Sequence, residues 1–353
     1  MHQIRINCTG FDLKILYAFQ GTGNGHVARA RDLVPRFKRY AEVDVLVAGT
    51  QSDLDLGINI TYRLFGLNMV YNKKGAVSYG QSLLRNKPFR FIWDVIKLPV
   101  KKYDAVIIDF EAVTSYACFI RGVKSLQLSH QAAYWSKHTP RPSNRIWHWE
   151  FVIAHMSPSK YALGFHFDQY DDFILPPIIR EEIRNAILED HGHYTVYLPS
   201  YHPVEIMSFV NQFKDFQFHI FARVDQPYNV GNAIVKSISV AEYLESFRTS
   251  AGLICGAGFE APSEALYCGK KLLISPIKDQ YEQAANARCA KLLGIEVFDS
   301  LDARGKRIWA KFLSSAHPIK IAYPDYAEDL VKHILQNVHA GNEYDDISSL
   351  EVW

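Results

Sequence analysis

Two glycine turns and a few acids and histidines beside them carry most of the chemistry legible in this chain. From residue 253 the sequence runs Leu-Ile-Cys-Gly-Ala-Gly-Phe-Glu-Ala-Pro-Ser-Glu-Ala-Leu-Tyr-Cys-Gly. A short apolar strand over 253–255 enters a turn at Gly256 and Gly258. A helix follows, with Pro262 in its first turn, where a missing N–H costs little. Gly269 is placed to cap its far end. Gly258 has no Cβ to block a close approach. The helix start offers free N–H groups and the positive end of its dipole, so an anion such as a diphosphate fits there. Glu264 lies further into the helix. A carboxylate near a phosphate is unfavourable unless it binds something, and a ribose diol is a suitable partner. The alternative is that Glu264 only caps the helix.

The second glycine turn is Gln20-Gly-Thr-Gly-Asn-Gly-His26, after a buried strand over 14–19. A dinucleotide fingerprint needs a glycine where His26 stands, so that pattern fails. No Gly-Lys-Ser/Thr follows, so it is not a phosphate loop of the NTPase kind either. Asp109 ends a buried strand over 103–109, Glu111 follows it, and His130 follows a strand over 125–128. The C-terminal ends of strands are where open α/β sheets bind ligands, which makes Asp109 a functional candidate. Glu111 and His130 are explained equally well by structural roles. The acid pairs Asp53/Asp55, Asp171/Asp172 and Asp345/Asp346 read as solvated loop residues.

The stretch over 253–294 resembles the donor-binding motif of GT-B glycosyltransferases, in the MurG-type, family 28-like form. Those enzymes carry a glycine six residues before a ribose-binding glutamate, as Gly258 and Glu264 stand here. An acidic-or-Gln/Gln pair three residues before Asn-Ala completes the motif, and Glu282-Gln283 with Asn286-Ala287 matches it. The resemblance implies that Glu264 binds the ribose and that Glu282 and Gln283 bind the donor sugar. It also implies that backbone near Ser239 and Val240 holds the base. The first loop is similar to the Gly-His loop of the same enzymes, with Gly25-His26 and Arg29-Ala30 matching.

The rest of the chain reads as scaffold for these groups. At 353 residues it has room for two domains with full cores. Apolar content of 48% and charged content of 22% are ordinary for a globular protein. A net charge of +2 gives no footprint for nucleic acid, and none is expected as a partner. The five cysteines show no CxxC spacing, so neither a zinc site nor a disulfide framework is indicated, and a reducing cytoplasm fits. No signal peptide and no membrane span are evident.

Alternating strands and helices occur twice. In the first half, strands are expected over 14–19, 43–48, 63–70, 103–109, 125–128 and 151–157, with a helix from His26 that Pro35 should kink or shorten. The proline pair in 173–179 reads as a linker. In the second half, strands over 195–198, 217–221, 253–255 and 271–275 alternate with helices over 203–213, 241–247 and 280–293. A last helix over 326–338 is of the kind that crosses back to the first domain in GT-B proteins.

The expectation is therefore an α/β protein of two Rossmann-like domains facing across a cleft, 1–175 for the acceptor and 176–353 for the nucleotide sugar. The reaction expected is inverting glycosyl transfer from a nucleoside-diphosphate sugar, UDP-linked by resemblance, with no metal and no cofactor. His26 would take the acceptor proton, since histidine titrates near neutrality, and Asp109 would orient it. A non-hydrolysing UDP-N-acetylglucosamine 2-epimerase and a non-catalytic sugar-nucleotide binder are the rivals.

One further pattern concerns location. Residues 85–102 hold Arg85, Lys87, Arg90, Lys97, Lys101 and Lys102 against Asp94, with Phe89, Phe91 and Trp93 interleaved. Segment 134–149 adds Tyr134, Trp135, Trp147 and Trp149 with Lys137, Arg141 and Arg145. Cations beside exposed aromatics suit an anionic membrane surface, and the family resemblance implies a carbohydrate or lipid-linked acceptor. The inner face of a cell membrane, and work on the cell envelope, would fit. The competing reading is buried aromatics under a solvated charged face.

Overall fold

The computed structural model describes residues 13–22, 24–49, 57–67, 87–142, 147–344, 350 and 352–353. Asp53, Asp55, Asp345, Asp346 and Arg85 lie outside these residues.

The apolar runs of the first half form one parallel sheet. Its strands are β1 (Lys14–Gln20), β2 (Glu42–Ala48), β3 (Tyr62–Leu64), β4 (Ala105–Asp109), β5 (Ser125–Ser129), β6 (Tyr161–Phe165) and β7 (Ile174–Leu175), in the order β3-β2-β1-β4-β5-β6-β7. Strands β4, β5 and β6 are buried at every position, as a sheet covered on both faces requires. The second half repeats the plan. Strands β8 (His193–Tyr197), β9 (Gln217–Ala222), β11 (Ala233–Ser237), β12 (Gly252–Gly256), β13 (Lys271–Ser275) and β14 (Glu296–Val297) run parallel. Strand β10 (Tyr228–Val230) adds an antiparallel edge, giving β10-β11-β9-β8-β12-β13-β14.

In both sheets the strand order reverses beside the first strand of the half. The crevices at those points are where such sheets take ligands. In the first sheet the reversal lies between β1 and β4, where the register sets Phe19 beside Asp109. In the second it lies between β8 and β12. Each crevice thus receives one of the two glycine turns.

The helices relevant to the site are α1 (Asn24–Phe37), α2 (Pro88–Lys97), α3 (Ala112–Arg121) and α4 (Trp147–His155) in the first half. The second half has α5 (Glu181–Arg184), α6 (Pro203–Val210), α7 (Val240–Thr249), α8 (Glu260–Cys268), α9 (Tyr281–Leu292), α10 (Ala303–Ser315) and α11 (Ala327–Ala340). Gly269 caps α8 with φ 64°, as its sequence position requires. Helix α11 packs back on the first half. Tyr40 and Arg39 both bind Glu328, Tyr323 Oη donates to the Phe167 carbonyl, and Tyr326 Oη to that of Pro176. No helix among the described residues is long and apolar enough to cross a membrane.

Two expectations need correction. The stretch over 151–157 is not a strand, because Trp147–His155 is a helix. A short apolar run fits either period; here Trp149 and Ile153, four apart, pack on Tyr281 and Ala285 of α9, and that contact selects the helix. Pro35 lies within the last turn of α1, which ends two residues later at Phe37. The strand expected from 63 is Tyr62–Leu64 among the described residues. The amphipathic helix α2, the strand β6 and the helix α10 were not legible as such.

Candidate functional site

The first crevice is made of side chains. Asp109 is the last residue of β4 and has no solvent exposure. The next residue, Phe110, turns with φ 55°, a conformation rare and costly for a non-glycine residue. Its ring stacks near that of His26 at 6.3 Å between centroids. His26 stands in the first turn of α1, and its Nδ1 lies 2.8 Å from Asp109 Oδ1. With Nδ1–H donating to the carboxylate, Nε2 is left as a proton acceptor.

Arg29 is one turn further along α1 and lies on the same face. Its Nη1 donates to both oxygens of Asp109 at 2.9 Å, and its Nη2 donates to Glu260 Oε1 at 2.5 Å. Burial works against the Arg29 charge, but Asp109 and Glu260 outweigh it and hold its proton more firmly than usual. Burial pushes the Glu260 carboxyl upward, against the pull of Arg29. Glu260 is the first residue of α8, so this guanidinium joins the two halves of the molecule.

The second crevice is made of backbone. Gly256 ends β12, and Gln283 lies over the turn with its Oε1 accepting from Ile277 N at 2.9 Å. A Cβ placed on Gly258 would meet no atom within 4 Å, so that side of the turn is open. No side chain caps the start of α8. A helix start of that kind, open in front, is a place for an anion. Ser239 caps α7, with Oγ accepting from Glu242 N, and Val240 begins that helix; both are partly exposed.

Glu264 does not cap its helix. Its carboxylate is held by Arg180, with Nε at 2.6 Å and Nη2 at 2.9 Å, a two-pronged ion pair. Arg180 follows the proline-bearing linker, which delivers it to α8. Glu282 Oε2 accepts from Gln131 Nε2 at 3.0 Å, across the two halves.

Two acceptor-side candidates prove structural in their contacts. Glu111 is fully buried and caps α3, with its oxygens accepting from Val113 N at 2.6 Å and Thr114 N at 2.7 Å. Glu111, legible in the sequence as an acid just past a strand end, also precedes a helix start, and the cap is what forms. His130 is buried as well. Its Nδ1 lies 2.8 Å from the Phe165 carbonyl oxygen, its Nε2 lies 2.8 Å from Asn286 Oδ1, and its ring stacks on Phe259 at 4.1 Å. Burial holds His130 below the usual histidine range. It packs the two halves together. Asp171 accepts from the backbone N–H of Asp172, a local turn contact in keeping with its expected loop role.

Sequence reasoning missed Arg29, Arg180 and Asn286 as parts of this network. Arg29 carried a signal, being three residues from His26 on a helix. Asn286 carried one too, the Asn-Ala pair of the donor motif; in the fold its Nδ2 donates to Ala257 O inside the glycine turn, while its Oδ1 accepts from Tyr134 Oη of the other half. Arg180 had none, because its partner is 84 residues away.

Two parallel sheets with crevices facing each other define the GT-B class of sugar-transferring folds. The model of glycosyl transferase family 1 matches residues 13–316, and the chain belongs to that family. It is accordingly a glycosyltransferase. No curated protein matches in sequence. Among solved structures, MurG of Acinetobacter baumannii is similar over 93% of this chain and 99% of its own, with 13% identity and a TM-score of 0.51. A Streptomyces sp. SF2575 glycosyltransferase complexed with thymidine diphosphate covers 92% of this chain and 99% of its own, at 12% identity and a TM-score of 0.54. A Listeria monocytogenes protein assigned as a UDP-N-acetylglucosamine 2-epimerase covers 95% and 98%, at 9% identity and a TM-score of 0.55. These likenesses concern the fold, which transferases and an epimerase share.

Proposed function

We propose that this glycosyltransferase moves a sugar from a nucleoside-diphosphate donor, with UDP as the nucleotide, to an acceptor hydroxyl with inversion. The observation that carries the reading is the His26–Asp109 pair at 2.8 Å, tied through Arg29 to the first residue of the donor helix. In the reaction the acceptor oxygen attacks the anomeric carbon while its proton passes to His26 Nε2. The bond from that carbon to the diphosphate breaks, and the leaving oxygen takes the electron pair. The uncapped start of α8 behind Gly258 stabilises the charge that develops there, a role for which the proposal asks no metal. Glu264 binds the ribose, by yielding one face of its carboxylate from Arg180; a carboxylate has lone pairs enough for both. Glu282 and Gln283 bind the sugar, and backbone at Ser239 and Val240 holds the base.

The test is a thermal-shift panel of nucleotides and nucleotide sugars, since a ligand that binds only the folded state raises the melting temperature. UDP and its sugars should lead. A panel led by NAD removes the reading. One led by thymidine diphosphate keeps the mechanism and changes the base, as the neighbouring complex with that nucleotide would suggest. The fold shared with an epimerase makes a second assay useful: incubation with UDP-N-acetylglucosamine alone, where an epimerised product would favour isomerisation. Binding without turnover on any acceptor would favour a sugar-nucleotide binder.

The proposal includes a peripheral location on an anionic membrane, with a lipid-linked acceptor. Helix α2 supports it. Phe89, Ile92, Trp93 and Ile96 are 86%, 53%, 60% and 56% exposed and recur at the spacing of one helix face. Exposed Lys87, Arg90, Lys97 and Lys101 surround them, and Phe119 and Ile120 of α3 are exposed as well. An apolar helix face rimmed by cations suits the boundary of anionic lipid. Within segment 134–149, Tyr134 and Trp149 are buried and Arg141 is spent on the carbonyls of Tyr134, Ser136 and Thr139, so these three do not contribute; Arg145 lies outside the described residues. Co-sedimentation should occur with anionic vesicles at low salt and be lost with Trp93→Ser. Equal binding of the variant, or none by the wild type, would leave a soluble acceptor.

A further inference from the structure

Arg29 is the point at which the two crevices meet electrically. Its guanidinium is 4% exposed, Asp109 is fully buried, and the Glu260 side chain is 19% exposed. One cation is thus shared by two carboxylates, one from each half of the molecule. Glu260 stands at the start of α8, the end at which the donor diphosphate is proposed to bind. Helix α1 begins against it: a Cβ on Gly25 would lie 3.2 Å from Glu260 Cγ. A carboxylate at that place favours the helix end but opposes an incoming diphosphate. On the other side, Asp109 is also the partner of His26.

We infer that Arg29 is a positioning residue whose charge serves both crevices at once. It screens the donor diphosphate from Glu260, and it balances Asp109 so that the carboxylate orients His26 without trapping its proton. The inference rests on the proposed roles of His26 and of the start of α8. It adds to them a link: the charge that prepares the donor helix also sets the basicity of the group that accepts the proton. His26 is bound to Asp109 of β4; Arg29, from the same helix as His26, binds that carboxylate, and Glu260 of α8 binds Arg29 in turn. The uncharged Tyr17 phenol of β1 lies close to Asp109, where burial and that carboxylate push its pKa up.

The experiment uses UDP as the calorimetric probe and the imidazole resonances of His26 as the pH probe, so neither needs a known acceptor. In R29Q, UDP affinity should fall about tenfold, because Glu260 is left uncompensated at the helix end. The His26 resonances should change with pH differently from the wild type, protonation persisting to higher pH, because Asp109 is left uncompensated too. In R29Q/E260Q, UDP affinity should recover while the His26 shift stays. A brace without an electrical role would give neither the recovery nor the shift, and that result overturns the inference. Should R29Q not fold, E260Q alone decides. With Glu260 neutral, UDP should bind about tenfold more tightly; unchanged or weaker binding overturns the inference. A wild-type chain that binds no nucleotide defeats the donor reading instead. The His26 titration in R29Q then still decides the link to Asp109.

Discussion

At the ends of β1 and β4 the crevice is built from side chains, whereas at the end of β12 it is built from backbone. In the first, Asp109 and Arg29 are buried, His26 is half-buried, both His26 and Arg29 bind Asp109, and Phe110 is held at φ 55° to complete the turn. In the second, Gly256, Gly258 and the uncapped start of α8 leave polar backbone in front of open space. The same strand order thus supports two kinds of site. One is pre-paired and rigid, suited to moving a proton. The other is incomplete until an anion arrives.

The contrast can be broken most sharply at Asp109. Asp109→Ala leaves the buried Arg29 with Glu260 alone and His26 with no orienting acceptor. Removing one partner of a buried ion pair costs about 3–5 kcal/mol, so urea denaturation should show a loss of that order together with lost turnover. A loss below about 1 kcal/mol would mean that the first crevice is not pre-paired. His26→Ala comes next. It should reduce turnover by about 100-fold while UDP affinity, set in the other crevice, barely changes. Near-normal turnover would make His26 a structural residue.

The backbone crevice is tested by Gly258→Val. Its side chain enters open space, so stability should change by no more than about 0.5 kcal/mol. UDP affinity should nevertheless fall by about tenfold, roughly 1.4 kcal/mol. Full affinity in calorimetry would mean that no ligand approaches this turn. The smallest effect expected is on pH and concerns the packing around the two sites. Burial depresses His130 and His166 where the halves meet, and it pushes His219 of the second sheet down to about 4. In the folded chain burial disfavours the charged form of these rings, while the unfolded chain takes up protons near the ordinary value of about 6.5. Their stabilising contribution is therefore complete above that pH and is lost as pH falls toward about 4. Melting temperatures measured across that window should decline steadily. A flat profile would count against the burial of these rings.

The amino-acid sequence by itself determined the repeated α/β plan, since apolar strand runs and glycine turns are local signals. It also determined the donor motif around Gly258 and the candidacy of His26 and Asp109, because types and spacing carry those. It left Glu111 and His130 open, and it misread 151–157. Only the tertiary structure decided these. Whether an acid caps a helix or faces a ligand depends on what else is within hydrogen-bond reach, and a short apolar run takes its period from the surface it packs on. Arg180 met Glu264, and Arg29 met both Asp109 and Glu260, across separations that no local pattern records. Such pairings follow from where two sheets bring their strand ends, and that placement is a property of the folded chain.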